Sequence, residues 1–200
     1  MRTYTVKKIS GEPNWDSIEA LPIDQLLWTE SCDIQVWAQV CWDEEGLYIR
    51  QTARESVVRA ELDGPLARVC NDSCMEFFLR PTESLHYFNF EFNPNAALYL
   101  GFRTGRANSV RLIHEKYLEA FAPKTARTPD GWELTYRVPF TFIQLFFPGW
   151  QAEAGKKMYA NFYKCGDETP NPHYLAWNPI QWPTPEFHRP EQFGTLILGE

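Results

Sequence analysis

Glu76 and Glu91 are the residues whose type and spacing most directly suggest chemistry. Glu76 lies in the run Asn71-Asp72-Ser73-Cys74-Met75-Glu76-Phe77-Phe78-Leu79, and Glu91 lies in Tyr87-Phe88-Asn89-Phe90-Glu91-Phe92-Asn93. Both runs have period 2, the signature of strands whose successive side chains point to opposite faces. Met75, Phe77, Leu79, Phe88, Phe90 and Phe92 then share one face, and Glu76, Asn89 and Glu91 share the other. A symmetric loop through Pro81 between the runs makes the two carboxylates direct cross-strand neighbours, with β-carbons about 5 Å apart. Like charges so placed repel, and a fold keeps them only beside a cation, a donor-rich ligand or a shared proton.

Two chemistries fit such a pair. A sugar presents apolar C–H faces and a rim of hydroxyls, so its site needs an aromatic platform beside carboxylates, amides and guanidinium groups. Glu76, Glu91, Asn89, Tyr99, Arg103 and Asn161 are of the right types, and the first five share one expected face. The same two carboxylates could instead serve as the acid and nucleophile of a glycoside hydrolase, since their spacing is near the roughly 5 Å of a retaining pair. Against this, neighbours on one flat sheet point the same way, whereas cleavage needs groups on either side of a bond. The plainest alternative is an ordinary solvated sheet face on a module that recognises a partner without a sugar.

The elements that would position these groups are strands. Ile34 to Trp42 alternates, turns at Asp43-Glu44-Glu45-Gly46 and returns through Leu47 to Gln51, as a hairpin does. Asn93-Pro94-Asn95 turns the chain into Leu98 to Phe102, setting Phe90 against Leu100 and Glu91 against Tyr99. Both hairpin registers agree on the core face, which is expected to bury Met75, Phe77, Phe88, Phe90, Phe92, Leu98, Leu100 and Phe162 together. Further strands are expected over Trp132 to Val138, Lys157 to Lys164 and Phe193 to Leu198. Residues 104–121 fit no single period, Phe140 to Phe147 is a short helical turn or a buried loop, and Cys165 to Pro190 is a long packed loop region. The fold class is all-β: an antiparallel β-sandwich with long loops and little helix. Without a repeat or linker, residues 1–200 are expected to form one domain.

A net charge of -7 with no basic cluster argues against nucleic acid as a partner. No apolar run approaches the roughly 20 residues of a membrane span, and the N-terminus lacks a signal peptide's apolar stretch. A cytoplasmic setting is therefore favoured unless the chain is a mature or truncated form. The five cysteines are expected to need no disulfide, since Cys70 and Cys74 on one strand would lie about 13 Å apart. Cys165 with His173 or His188 would make an irregular metal cluster, and buried thiols and loop histidines are the simpler account. Met75 and Met158 belong to the core face, which leaves a haem without an axial ligand. Asn71-Asp72-Ser73 is formally a glycosylation sequon, but it opens a strand.

Several segments, in order, resemble the family 9 carbohydrate-binding modules and their DOMON-like relatives. They are Gly46–Ile49, Asn71–Ser73 leading to Glu76–Leu79, Asn89–Pro94, Gly131–Phe140, Asn161–Lys164, Leu175–Pro179 and Phe187–Gly194, and they span about residues 36–198. The resemblance implies a jelly-roll β-sandwich and non-catalytic binding of a mono- or oligosaccharide, in support of carbohydrate catabolism. It implies no required cofactor, with calcium ions in a structural part. Characterised members clasp the sugar between two tryptophans while polar groups of the sheet hold its hydroxyls. Glu76 matches the acidic residue of the sheet, and Trp177 resembles the tryptophan of the late loop. The other tryptophan should fall just ahead of Asp72-Ser73, where this chain has Val69 and Cys70. The chain then takes a different sugar, uses Tyr99 or Trp182 in an altered site, or has no sugar site. Trp177 and Trp182 could equally staple the Pro-rich loop to the sandwich, and Trp37 is the remaining tryptophan expected to be exposed.

Overall fold

The structure, a computed structural model, describes residues 1–113 and 115–200. In chain order the strands are β1 (Thr3–Lys8), β2 (Leu21–Pro22), β3 (Gln25–Leu26), β4 (Gln35–Trp42), β5 (Gly46–Arg54), β6 (Cys74–Arg80), β7 (Tyr87–Phe92), β8 (Leu98–Arg103), β9 (Ser109–Arg111), β10 (Lys124–Thr128), β11 (Gly131–Pro139), β12 (Lys157–Cys165), β13 (Tyr174–Ala176) and β14 (Gly194–Leu198). Helix α1 (Glu115–Phe121) precedes β10 and α2 (Phe140–Phe146) follows β11.

The strands lie in the order β10-β11-β5-β4-β1-β14-β12-β6-β7-β8-β9, curled so that two layers face each other as a β-sandwich. The expected hairpins are present in the expected registers. Trp42 pairs with Leu47, and Asp43 closes that turn by accepting the backbone N–H groups of Glu45 at 2.8 Å and Gly46 at 3.1 Å. Glu76 pairs with Glu91, Phe90 with Leu100 and Glu91 with Tyr99.

The all-β sandwich is as expected, and its sheet is mixed, with one strand paired in parallel. β1 runs parallel to both β14 and β4, with Thr3–Val6 against the first and Lys7–Lys8 against the second, so it stitches the two layers together. The long region after Cys165 also contributes a strand, β13, paired with β12 and β3. Within residues 104–121 lie β9 and α1, with His114 outside the described residues, and Phe140 to Phe147 resolves as α2.

The core lies between the layers. Phe77 stacks on Phe162 with ring centroids 4.5 Å apart, Phe92 meets Tyr136 of the opposite layer at 4.8 Å, and Phe88 meets Phe142 of α2 at 5.0 Å. All the expected core residues are buried except Leu98, which opens β8 and is only partly covered while still packing on the core. Among the described residues, no helix is long and apolar enough to cross a membrane.

The outer face of the second layer differs from the open polar sheet that alternation suggests. The chain after Cys165 folds back over it, and Cys74, Phe78, Tyr87, Tyr163, Cys165, Phe187 and Phe193 form a second apolar cluster there. Tyr163 stacks on Phe187 at 4.1 Å, and its hydroxyl donates to the Phe187 carbonyl at 3.1 Å. Glu76, Glu91, Asn89 and Arg103 are consequently all buried.

Candidate functional site

The folded-back loop leaves a solvent-open pocket over the middle of β6, β7 and β8. Its volume is about 310 Å³, near the lower end of the about 300–1,000 Å³ range for small-molecule sites. Glu76, Glu91 and Cys165 line it from the sheet, with Tyr99 and Arg103 of β8 on one flank. Trp28, Tyr174 and Phe187 complete the wall on the loop side, and Arg68, Cys70 and Asp167 line it as well.

The two glutamates are crowded together on adjacent strands. Burial first, and then the charge of Glu91, hold the Glu76 carboxyl well above the usual carboxylate range. Burial also lifts Glu91 to about 7, against the downward pull of Arg103 and of its hydrogen bond from Asn89. Near neutral pH the pair therefore retains a proton and can both donate to and accept from a ligand hydroxyl.

A chain of side chains fixes Glu91. Arg103 Nη2 donates to the Tyr99 hydroxyl at 2.6 Å, Arg103 Nε donates to Asn89 Oδ1 at 2.9 Å, and Asn89 Nδ2 donates to Glu91 Oε1 at 2.6 Å. Arg111 covers the Tyr99 ring at 4.2 Å and is itself tied to the carbonyls of Pro65 and Ala67. Glu76 has a different partner: Cys165 Sγ donates to its Oε1 at 3.1 Å.

Four of the sequence candidates, Glu76, Glu91, Tyr99 and Arg103, line the pocket, and Asn89 supports them from behind. The other three lie elsewhere. Asn161 is fully buried and clamps the late loop, its Nδ2 donating to the Asn178 carbonyl at 2.8 Å while its Oδ1 accepts from Asn178 N–H at 2.8 Å. Trp177 offers no stacking surface, because its ring is buried between Phe162 and Gly194 and fills the space a β-carbon on Gly194 would need. It is a staple. Trp182 is exposed but outside the pocket, under the Arg189 guanidinium at 3.8 Å. Trp37 is half-buried beneath Arg54.

The tryptophan that does reach the pocket, Trp28, comes from the early segment after β3. Its backbone has φ +56, a left-handed conformation costly for so bulky a residue and of the kind that collects at ligand sites. The ring is held by the Nε1 donation to the Trp182 carbonyl at 2.6 Å and by edge contact with Tyr174 at 5.8 Å. Sequence reasoning missed it because nothing local marks that segment; only the β13–β3 pairing carries it to the pocket. Cys70, at the position where the resemblance places a second tryptophan, also lines this pocket.

The Asp72-Ser73 motif proves to be scaffold. Asp72 ties the loop after β5 to the β7–β8 turn by accepting from Arg59, the Glu61 and Leu62 N–H groups and Asn93. Ser73 Oγ accepts the Arg59 N–H and donates to Glu55, each at 3.0 Å.

Among the described residues, one group of three ligand atoms from thiols, carboxylates or imidazoles is close enough to share an ion: Cys74, Glu76 and Cys165. Neither His173 nor His188 joins it. His173 Nε2 contacts Lys164 Nζ at 2.8 Å, and His188 Nδ1 contacts the Tyr87 hydroxyl at 2.9 Å. Calcium takes six to eight oxygen ligands, so a set with two sulfurs does not fit the calcium that the resemblance implies.

Comparison with known families agrees with this architecture. The family model of carbohydrate-binding family 9 matches residues 14–198, and the chain belongs to that family. A solved structure from Bacteroides uniformis, a protein to which carbohydrate binding is provisionally ascribed, shares 28% identity over 98% of this chain and 99% of its own, with TM-score 0.84. Two structures of a family 9 module from Caldicellulosiruptor kristjanssonii share the fold at TM-score 0.70. The one in complex with cellotriose is 13% identical and covers 99% of this chain and 94% of its own. The one in complex with glucose is 14% identical and covers 100% and 97%. No curated protein matches the chain.

Proposed function

We propose that this chain binds a mono- or oligosaccharide in the pocket over Glu76 and Glu91 and does not turn it over, in support of carbohydrate catabolism. The observation that carries this is the carboxyl pair itself: two buried glutamates, registered directly across adjacent strands, that line a solvent-open pocket. Hydroxyl groups, which donate and accept together, are the ligand chemistry that offsets such a pair best. Arg103 and Tyr99 supply further polar contacts, and the Trp28 ring, in place of Trp177, supplies the apolar wall for a sugar face. That family 9 modules hold cellotriose and glucose supports a small glycan as the ligand.

Hydrolysis is disfavoured by geometry. Glu76 and Glu91 are registered neighbours on adjacent strands and approach a ligand from one side, whereas cleavage needs this pair to flank the scissile bond. A glycan array read together with an assay for released reducing ends tests both statements. Retention of specific glycans without release is the expected outcome. Release of reducing ends that stops in Glu76→Gln or Glu91→Gln would establish a hydrolase, and an array on which nothing is retained would leave a sugar-independent interaction module.

A further inference from the structure

Cys74 and Cys165 are directly opposed on β6 and β12, and Glu76 is two residues along β6 from Cys74, on the same face. The two sulfurs and a Glu76 carboxylate oxygen all lie within 4.8 Å of one another, and all three residues are buried. We propose that Cys74, Cys165 and Glu76 form a binding site for a thiophilic divalent cation of the Zn²⁺ class, with its remaining coordination position turned toward the pocket.

The donor set selects the ion. Sulfur ligands favour Zn²⁺ and its relatives over magnesium and calcium, and three protein ligands plus one open position is the arrangement of zinc sites that admit a water or a ligand. Tetrahedral bonds of about 2.3 Å place two sulfurs about 3.8 Å apart, so closing around the ion needs small side-chain rotations and no strand movement. The ligands stand on paired strands inside the sheet, where backbone hydrogen bonds hold their spacing.

Access also agrees. Glu76 and Cys165 line the solvent-open pocket, which gives the ion an entry path. Loading the site exchanges protons for metal: the Cys74 and Cys165 thiols each lose a proton to solvent, and Glu76 coordinates as the carboxylate. The three anionic ligands exceed the ion's charge by one, and the guanidinium groups of Arg68, Arg103 and Arg106 line the same pocket together with the carboxyl groups of Glu91, Asp167 and Glu186. The site stands independently of the sugar proposal, because its ligands are defined without one.

The test is a metal titration of the full chain, stripped of metal and kept reduced, with Co²⁺ followed by absorbance and with Zn²⁺ in competition with a chromophoric chelator. The expected result is one equivalent of either ion, a thiolate-to-cobalt charge-transfer band, and release of at least two protons per Zn²⁺ in weakly buffered solution. Cys74→Ala and Cys165→Ala should each weaken Zn²⁺ binding by more than the about 10–100-fold that loss of an outer-shell partner costs. Cys32→Ala and Cys41→Ala should leave it unchanged. Circular dichroism verifies that each variant is folded, and Glu76→Gln, which cannot coordinate as a carboxylate, replaces any cysteine variant that is not. Absence of stoichiometric binding, a band that survives both cysteine variants, or a Cys74–Cys165 disulfide forming in preference to metal uptake would each overturn the proposal.

Discussion

Asn89 and Gly101 are registered neighbours on β7 and β8, and Asn89 Oδ1 fills the space that a β-carbon on Gly101 would need. Gly101 is therefore what allows Asn89 to bridge Arg103 and Glu91. Gly101→Ala is expected to displace the Asn89 amide, release Glu91 and cost about 1–3 kcal/mol of stability, as overpacking does. Denaturant unfolding gives the stability, and the loss of any sugar affinity in the same variant links the glycine to the pocket. Unchanged stability and unchanged affinity together would refute this role.

Lys164 and Glu55 form a fully buried ion pair, Nζ to Oε2 at 3.2 Å. Glu55 also accepts from Trp132 Nε1 at 2.6 Å and from Ser73, so it is bound into both layers. Lys164→Met strands a buried carboxylate and is expected to cost about 3–5 kcal/mol, whereas replacing both partners with apolar residues should cost much less. Equilibrium unfolding of the single and double variants measures the difference. Equal losses in the two would show that the charge of Glu55 is not the source.

His188 stacks on Phe78 at 5.0 Å, and burial, helped by Arg103 and Arg106, lowers its pKa from 6.5 to about 2. The folded state thus refuses a proton that the unfolded state accepts. The resulting stability is fully present above pH 6.5 and is lost as pH falls below it, by at most about 1.4 kcal/mol per unit. The raised pKa values of Glu76 and Glu91 act with the opposite sign over part of the range, so the comparison with a variant isolates the histidine. His188→Gln is expected to lose less stability than wild type between pH 7 and pH 5. Parallel pH profiles would show that His188 is protonated without penalty.

The sequence made the sheet legible where both faces of a strand carried information. In β6, β7 and β8 the apolar parity gave the core face, a symmetric loop through Pro81 gave the Glu76–Glu91 pairing, and the turn at Asn93 set Glu91 against Tyr99. β1 escaped because a short strand that joins two sheets in parallel has no hairpin partner to announce it. Trp177 was misplaced because a tryptophan in a Pro-rich loop looks the same whether it caps a ligand or the core; only its packing on Gly194 distinguishes the two. Trp28 and the Cys74–Cys165 opposition depend on pairings between segments far apart in the chain, which periodicity does not encode.

The central claim is that the Glu76–Glu91 pocket holds a sugar, and isothermal titration with glucose and cellotriose tests it most directly. Wild-type chain is expected to bind with micromolar to millimolar affinity, an order-of-magnitude range for a small polar ligand. Glu76→Gln, Glu91→Gln and Trp28→Ala should each weaken binding about tenfold or more, equivalent to about 1.4 kcal/mol, while Trp182→Ala, outside the pocket, should not. Binding that survives all three pocket substitutions, or that disappears with Trp182→Ala alone, would contradict the claim.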